Sequence, residues 1–144
     1  MQRTTGARVR IEGHVVGEIG TGLVVFLGVG PADDEAVTDA LARRLVELRL
    51  FQDADDRTNR SLGDVGGAVL LVSQFTLFAD TRRGRRPGFS GAAPAELAER
   101  LYERMALTLR ALGTSVATGH FGASMAVELV NDGPFTLWLD TDDR

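Results

Sequence analysis

The stretch Ala68-Val-Leu-Leu-Val-Ser-Gln-Phe-Thr-Leu-Phe-Ala-Asp80 decides the fold of this chain. A run of branched and aromatic residues between a glycine pair and an arginine-rich loop is typical of a buried strand. The polar residues Ser73, Gln74 and Thr76 interrupt the run. Because buried hydroxyl and amide groups cost free energy unless they are hydrogen-bonded, these residues need partners or must face a cavity. Residues 73–77 are therefore the first candidate for chemistry.

Composition narrows the class of protein. The 144 residues fit one domain, residues 1–144, with a core of ordinary size. The absence of cysteine excludes disulfides, thiol catalysis and thiolate metal sites. No apolar run approaches the roughly 20 residues of a membrane-spanning helix, and the N-terminus lacks the apolar core of a signal peptide, so we expect a cytoplasmic protein with no membrane partner. The net charge of -4 gives no general attraction for nucleic acid, although a local basic patch can still bind it.

Upstream of residue 68 the sequence predicts a hairpin, a strand and a helix. Alternating residues 7–11 and apolar residues 14–19 flank a turn at Glu12-Gly13. Residues 22–29 form a continuous apolar run, as in strands that are covered on both faces. Acidic residues after Pro31 suit a first helical turn, and apolar spacing predicts a helix over residues 34–49. Residues 51–64 are polar and predict a solvated connector, because their aspartates lack the glycine and final glutamate of a calcium loop.

Downstream, a basic loop precedes a second helix and further strands. The loop contains four arginines within five positions: Arg82, Arg83, Arg85 and Arg86. Clustered guanidinium groups beside Phe89 suit phosphate binding and base stacking, and a merely solvated loop is the alternative. Apolar residues at helical spacing after Pro94 predict a helix that ends at Gly113, and residues 115–118, 125–130 and 135–139 have the composition of strands. The residues thus indicate one α/β domain with a mixed sheet and two main helices.

Conventional catalytic patterns are missing. Residues 88–92 and 122–126 lack the spacing of a nucleophile elbow, and the two histidines, His14 and His120, stand alone. No dinucleotide fingerprint or phosphate-binding loop occurs. An enzyme with this sequence therefore works without a conventional triad, a metal or a nucleotide cofactor.

Two polar segments within apolar surroundings remain, and together they carry a resemblance. On physical grounds alone Gly133-Pro134 is an ordinary turn. However, Ser73-Gln-Phe-Thr-Leu77 and Asn131-Asp-Gly-Pro-Phe-Thr-Leu-Trp-Leu-Asp140 resemble the two signature motifs of the bacterial and eukaryotic D-aminoacyl-tRNA deacylases. The similarity extends in order along nearly the whole chain, through residues 20–28, 64–67, 79–87 and 119–123.

The resemblance implies a barrel-like β/β/α sandwich and a homodimer whose active sites are shared between subunits. One subunit would supply the catalytic segment, Ser73, Gln74, Phe75 and Thr76. Substrate binding would fall to Arg3, Phe89 and, from the other subunit, the segment Gly133, Pro134, Phe135 and Thr136 with a cis Gly133-Pro134 bond. The implied substrate is a tRNA esterified with a D-amino acid. Its phosphates would contact Arg82, Arg83, Arg85 and Arg86, and no metal or cofactor is implied.

The implied mechanism is steric selection followed by backbone-assisted hydrolysis. Gly133 and Pro134 would reject an L side chain by clash, whereas glycine, having no side chain, would pass. Backbone N–H groups around residues 74–76 would stabilise the oxyanion, with help from the ribose 2′-hydroxyl. Thr76 is the alternative nucleophile, but no evident base activates it. A non-catalytic RNA-binding module of the same fold is the rival function.

Two departures from the family pattern affect these expectations. Phe135 stands where valine is usual, beside the proposed gate. The chain begins at Met1-Gln2-Arg3, several residues later than is usual, so we expect either a truncated start or a shortened first strand. Thr5-Gly6 replaces more strand-like residues, so we also expect a weakened first hairpin. Arg3 matches an arginine that braces the Gly-Pro segment.

Overall fold

The computed structural model describes residues 1–82 and 84–142, and its elements alternate between strands and two helices. In chain order they are β1 (Gln2–Ile11), β2 (His14–Ile19), β3 (Gly22–Leu27), α1 (Glu35–Glu47), β4 (Arg49–Gln52), β5 (Thr58–Ser61), β6 (Ala68–Ser73), α2 (Ala95–Ala111), β7 (Ser115–Thr118) and β8 (Ala126–Thr136). Short 3₁₀ helices, Gly63–Val65 and Phe75–Phe78, follow β5 and β6.

Six strands form one mixed sheet that curls into a nearly closed barrel. Strands β3, β6 and β7 are parallel neighbours, whereas β1 pairs antiparallel with β2, β3 and β8. The backbones of β2 and β7 also approach closely, because a Cβ atom on Gly17 would lie 2.5 Å from the carbonyl oxygen of Thr118. The predicted α/β class and barrel-like sandwich with two main helices are confirmed.

Strand β1 runs for ten residues, from Gln2 to Ile11. Its pairs Thr4↔Gly22 with β3 and Ala7↔Ile19 with β2 share one register, so β3 and β2 lie one after the other along the same edge of β1. Strand β8 pairs with the opposite edge of β1. The predicted turn at Glu12-Gly13 is present, with φ of 49° and 82°.

The deciding stretch is not one strand. β6 ends at Ser73, and residues 75–78 form a 3₁₀ turn whose Phe75 and Leu77 side chains are 56% and 38% exposed. The physical reason is the length of the neighbour: Ser73 pairs with Leu27, the last residue of β3, so nothing beyond it remains to pair with. The expectation of polar groups buried inside a strand is therefore wrong, because residues 74–77 lie at the surface or near it.

Apolar residues cover both faces of the central strands, as the continuous run in β3 predicts. Leu23 and Val25 face the layer that contains Leu101 and Met105 of α2, while Val24 faces the barrel interior. Helix α1 begins one residue after its cap, where the Asp34 carboxylate accepts a hydrogen bond from the Val37 amide at 2.9 Å.

Two regions differ from the sequence-based expectation. Residues 49–61 form the antiparallel pair β4–β5, so the stretch 51–64 is not a plain connector. In the turn between these strands, the Asp53 carboxylate accepts hydrogen bonds from the amides of Asp55 and Arg57. β8 is one bulged strand where two were expected, and residues 137–142 lie outside it. No helix in the described part of the chain is long and apolar enough to cross a membrane.

Candidate active site

A cavity of about 550 Å³ opens where β6 ends and the chain enters α2. Its mouth is formed by Ser73, Gln74 and Phe75 with Phe89, so the structure brings these four predicted site residues together. Its apolar wall includes Phe121, Ala123 and Met125. Sequence reasoning did not assign these wall residues, although residues 119–123 belong to the family resemblance.

The 3₁₀ turn after β6 determines which backbone amides near this cavity are already hydrogen-bonded; Thr76 lies in this turn but does not line the cavity. The Gln74 amide donates to the Leu27 carbonyl at 2.8 Å, and the Leu77 amide donates to the Gln74 carbonyl at 3.3 Å. Within the described part of the chain, the amides of Phe75 and Thr76 donate to no acceptor. Of the three N–H groups expected to stabilise an oxyanion, two are therefore available and Gln74 is not.

The Thr76 hydroxyl accepts a hydrogen bond from the Gln74 side-chain amide. Neither carboxylate nor imidazole contacts it among residues 1–82 and 84–142. A hydroxyl becomes a strong nucleophile when an adjacent base removes its proton. The geometry thus provides Thr76 with a positioning partner rather than an activating one.

Two aromatic rings stand at the cavity mouth. Phe75 and Phe89 meet edge to face, with ring centroids 5.0 Å apart and an interplanar angle of 73°. This arrangement is favoured by the ring quadrupoles. Phe75 remains 56% exposed, so part of its side chain is open to solvent.

Gly133 and Pro134 are joined by a cis peptide bond and are both exposed. Neither they nor Phe135 line the cavity beside Ser73. Thr136 lines a separate cavity of about 530 Å³ on the far side of the 3₁₀ turn, with Leu77 and Trp138. One chain therefore does not bring Gly133 and Pro134 into the cavity beside Ser73, although other residues of the two signature motifs share the second cavity.

Arg3 holds the segment that carries Gly133 and Pro134. Its side chain is 6% exposed; Nε donates to the Asp132 carbonyl at 3.1 Å and Nη1 to the Leu50 carbonyl at 2.8 Å. Nε also lies 3.2 Å from the Asp132 carboxylate, and the guanidinium stands 4.7 Å from the centre of the Phe135 ring. Phe135 thus packs on Arg3 and the main core rather than on the cavity beside Ser73.

Asp80 neutralises part of the positive charge of the basic loop. Arg82 forms a two-pronged ion pair with Asp80, with both side-chain distances at 2.8 Å, and its amide also donates to Asp80. The Arg82 hydrogen bonds hold the pKa of Asp80 below its ordinary value and raise the pKa of Arg82. Arg85 and Arg86 are exposed, and Arg83 lies outside the described residues.

Comparison with known proteins gives a consistent result. Residues 1–140 match the family model described as D-Tyr-tRNA(Tyr) deacylase. The D-aminoacyl-tRNA deacylase of Dinoroseobacter shibae is 56% identical over 140 residues, 97% of each chain, and that of Lacticaseibacillus casei is 54% identical over 144 residues, 100% of this chain and 97% of the relative. The solved structure of the c-Myc DNA unwinding element binding protein superposes with a TM-score of 0.90 at 35% identity, covering 96% of this chain and 95% of that one.

Proposed function

The chain belongs to the D-Tyr-tRNA(Tyr) deacylase family, and from this premise we propose that it hydrolyses the ester bond between a D-amino acid and the 3′ end of tRNA. The observation that carries the proposal is the cavity beside Ser73, whose mouth is formed by the first signature motif. Its volume of about 550 Å³ is in the usual range of small-molecule sites and suits an aminoacyl group.

Hydrolysis adds water across the ester. The hydroxyl joins the acyl carbon, the bond to the 3′ oxygen breaks, and that oxygen takes the proton. The negative charge that develops on the acyl oxygen would be stabilised by the unused amides of Phe75 and Thr76. One such donor is typically worth about 3 to 4 kcal/mol of transition-state stabilisation. The neighbouring ribose 2′-hydroxyl assists the water, which explains why the site needs no protein base.

Residues near the same cavity can contact the terminal adenine and the phosphates of the tRNA end. The exposed part of Phe75, supported by Phe89, offers a stacking surface for the terminal adenine. Arg85 and Arg86 extend from the neighbouring loop and suit phosphate groups. We expect the protein to work in the cytoplasm, where charged tRNA is used.

Selection against L-amino acids would come from a second copy of the chain. Gly133 and Pro134 are exposed but do not line the cavity of their own subunit, which supports a gate that enters the partner's site. Exposed apolar side chains near the two motifs would be covered in such a homodimer, namely Leu77, Val130 and Trp138. The gate would exclude an L side chain by clash and would admit glycine.

The test is deacylation of one tRNA charged in turn with the D- and L-forms of the same amino acid and with glycine. We expect release of the D-amino acid, slower release of glycine, and release of the L-amino acid that is slower by several orders of magnitude. Tight tRNA binding without release from any substrate would refute the enzyme and favour the RNA-binding alternative. Light scattering of the same preparation gives the mass, and a monomer that remains selective would refute the shared gate.

A further inference from the structure

The side chain of Asn131 closes the loop that presents Gly133 and Pro134. Its Oδ1 atom accepts a hydrogen bond from the Phe135 amide at 2.7 Å, and its Nδ2 atom donates to the Thr136 hydroxyl at 3.0 Å. One amide group therefore spans four residues of a bulged strand. The Thr136 hydroxyl is held a second time by the Gln2 side-chain amide at 3.2 Å.

Asn131 and Arg3 hold complementary parts of the loop. Arg3 holds the Asp132 carbonyl and the Phe135 ring, whereas Asn131 holds the Phe135 backbone. Asp132 and Phe135 are thus tied to Arg3, and Thr136 is tied to Gln2, while Asn131 joins Phe135 and Thr136 within the loop. The two remaining residues, Gly133 and Pro134, project into solvent between these fixed points.

We propose that Asn131 is a positioning residue that sets how far Gly133 and Pro134 protrude, and thereby sets the discrimination between D- and L-aminoacyl-tRNA. This inference rests on the proposed function. Rejection by clash depends steeply on distance, because a wall that yields by a fraction of an ångström no longer excludes a methyl group. Acceptance of the D-substrate depends less on the position of the Gly133-Pro134 loop, because the D side chain does not contact the loop. A loosened loop therefore affects the L-substrate first.

The experiment compares kcat/KM for D- and L-aminoacyl-tRNA between the wild-type protein, Asn131→Ala and Asn131→Asp. Asn131→Ala removes both hydrogen bonds, and we expect the D-to-L ratio to fall about tenfold or more while D-activity stays within about threefold. Asn131→Asp keeps the acceptor for the Phe135 amide, and its second oxygen can accept from the rotated Thr136 hydroxyl. This variant should keep the ratio within about threefold of wild type, which a purely structural defect would not predict.

The outcomes separate the inference from the proposed function. A wild-type protein that releases no D-amino acid refutes the function. An active wild type with an unchanged D-to-L ratio in Asn131→Ala refutes the positioning role alone, as does an equal loss of both activities. If Asn131→Ala fails to fold, Thr136→Val removes the Asn131 Nδ2 contact together with the Gln2 contact, and Gln2→Ala removes the Gln2 contact alone. The D-to-L ratio of Thr136→Val must then fall below that of Gln2→Ala for the inference to stand.

Discussion

Replacement of Gly133 by alanine tests the gate most directly. Gly133 has φ of +145°, and an added Cβ would lie 2.8 Å from the Phe135 amide nitrogen, 3.0 Å from the Phe135 Cβ and 3.4 Å from an Arg3 nitrogen. The first two distances are too short for the loop to stay in place, and Phe135 is fixed by its backbone and its ring. A backbone conformation of this kind costs an L-residue about 1 to 3 kcal/mol. The loop must therefore move, and the gate moves with it.

A matched control is available in the β1–β2 turn. Gly13 has φ of +82°, and an added Cβ there meets nothing within 4 Å. Gly13→Ala should therefore have a backbone cost of the same order without displacing any functional group. At roughly 4 °C per kcal/mol for a chain of this size, both variants should lose about 4 to 12 °C in Tm.

Only Gly133→Ala should lose selectivity. A displacement of about 1 Å of a group that positions the substrate can change a rate by roughly 100-fold. We therefore expect the D-to-L ratio of kcat/KM to fall by that order in Gly133→Ala and to stay at the wild-type value in Gly13→Ala. The assay is ester loss from matched D- and L-aminoacyl-tRNA, with thermal denaturation followed by circular dichroism. A Gly133→Ala protein with wild-type selectivity would show that this loop does not discriminate between substrates.

Three further perturbations probe the remaining parts of the molecule. Replacing Arg85 and Arg86 together by glutamine should weaken tRNA binding and reduce the slope of log K against log salt concentration by about 1.4 to 1.8. Arg82→Gln should change this slope less, because Arg82 is paired with Asp80. An equal change of slope per arginine would contradict that pairing. Thr76→Ala should keep activity within about tenfold, since no base contacts the hydroxyl; a loss of about 1,000-fold or more with intact fold and tRNA binding would instead establish a nucleophile. The hydrogen bonds from Arg104 and then Thr108 lower the pKa of Asp39, so its stabilising contribution is present above the unfolded pKa of about 4 and fades below it. The Tm difference between wild type and Asp39→Asn should therefore narrow as the pH falls from 5 to 3, and a constant difference would show that the ionised carboxylate is not responsible.

The sequence correctly predicted those elements that depend on interactions between residues close together in the chain. The Glu12-Gly13 turn needs positive φ, β3 is apolar on both faces because both faces are buried, and Asp34 caps α1 with its own side chain. The end of β6 was not predictable in this way. It depends on where β3 ends, and no residue within 68–80 carries that information.

The site was predictable only in part, for a similar reason. The resemblance identified residues 73–76 and the Gly133-Pro134 segment, but the wall containing Phe121 and Met125 forms only when the chain after β7 folds over the cavity. The four arginines looked equivalent because sequence spacing cannot show that the Asp80 carboxylate turns back on Arg82. The availability of the Phe75 and Thr76 amides likewise follows from the 3₁₀ turn, which the apolar run concealed.

The pairing of β1 with β8 has a consequence for the time course of folding. Arg3 and Asp132 are 129 residues apart in the chain, yet their contact holds the loop that carries Gly133 and Pro134. Contacts of such large sequence separation form slowly, because a long loop must close before they contribute any stability. During synthesis, Arg3 emerges long before its partner exists. The Gly133-Pro134 loop therefore reaches its final position only after nearly the whole chain is made, later than the residues between Leu27 and Val127 that line the cavity beside Ser73.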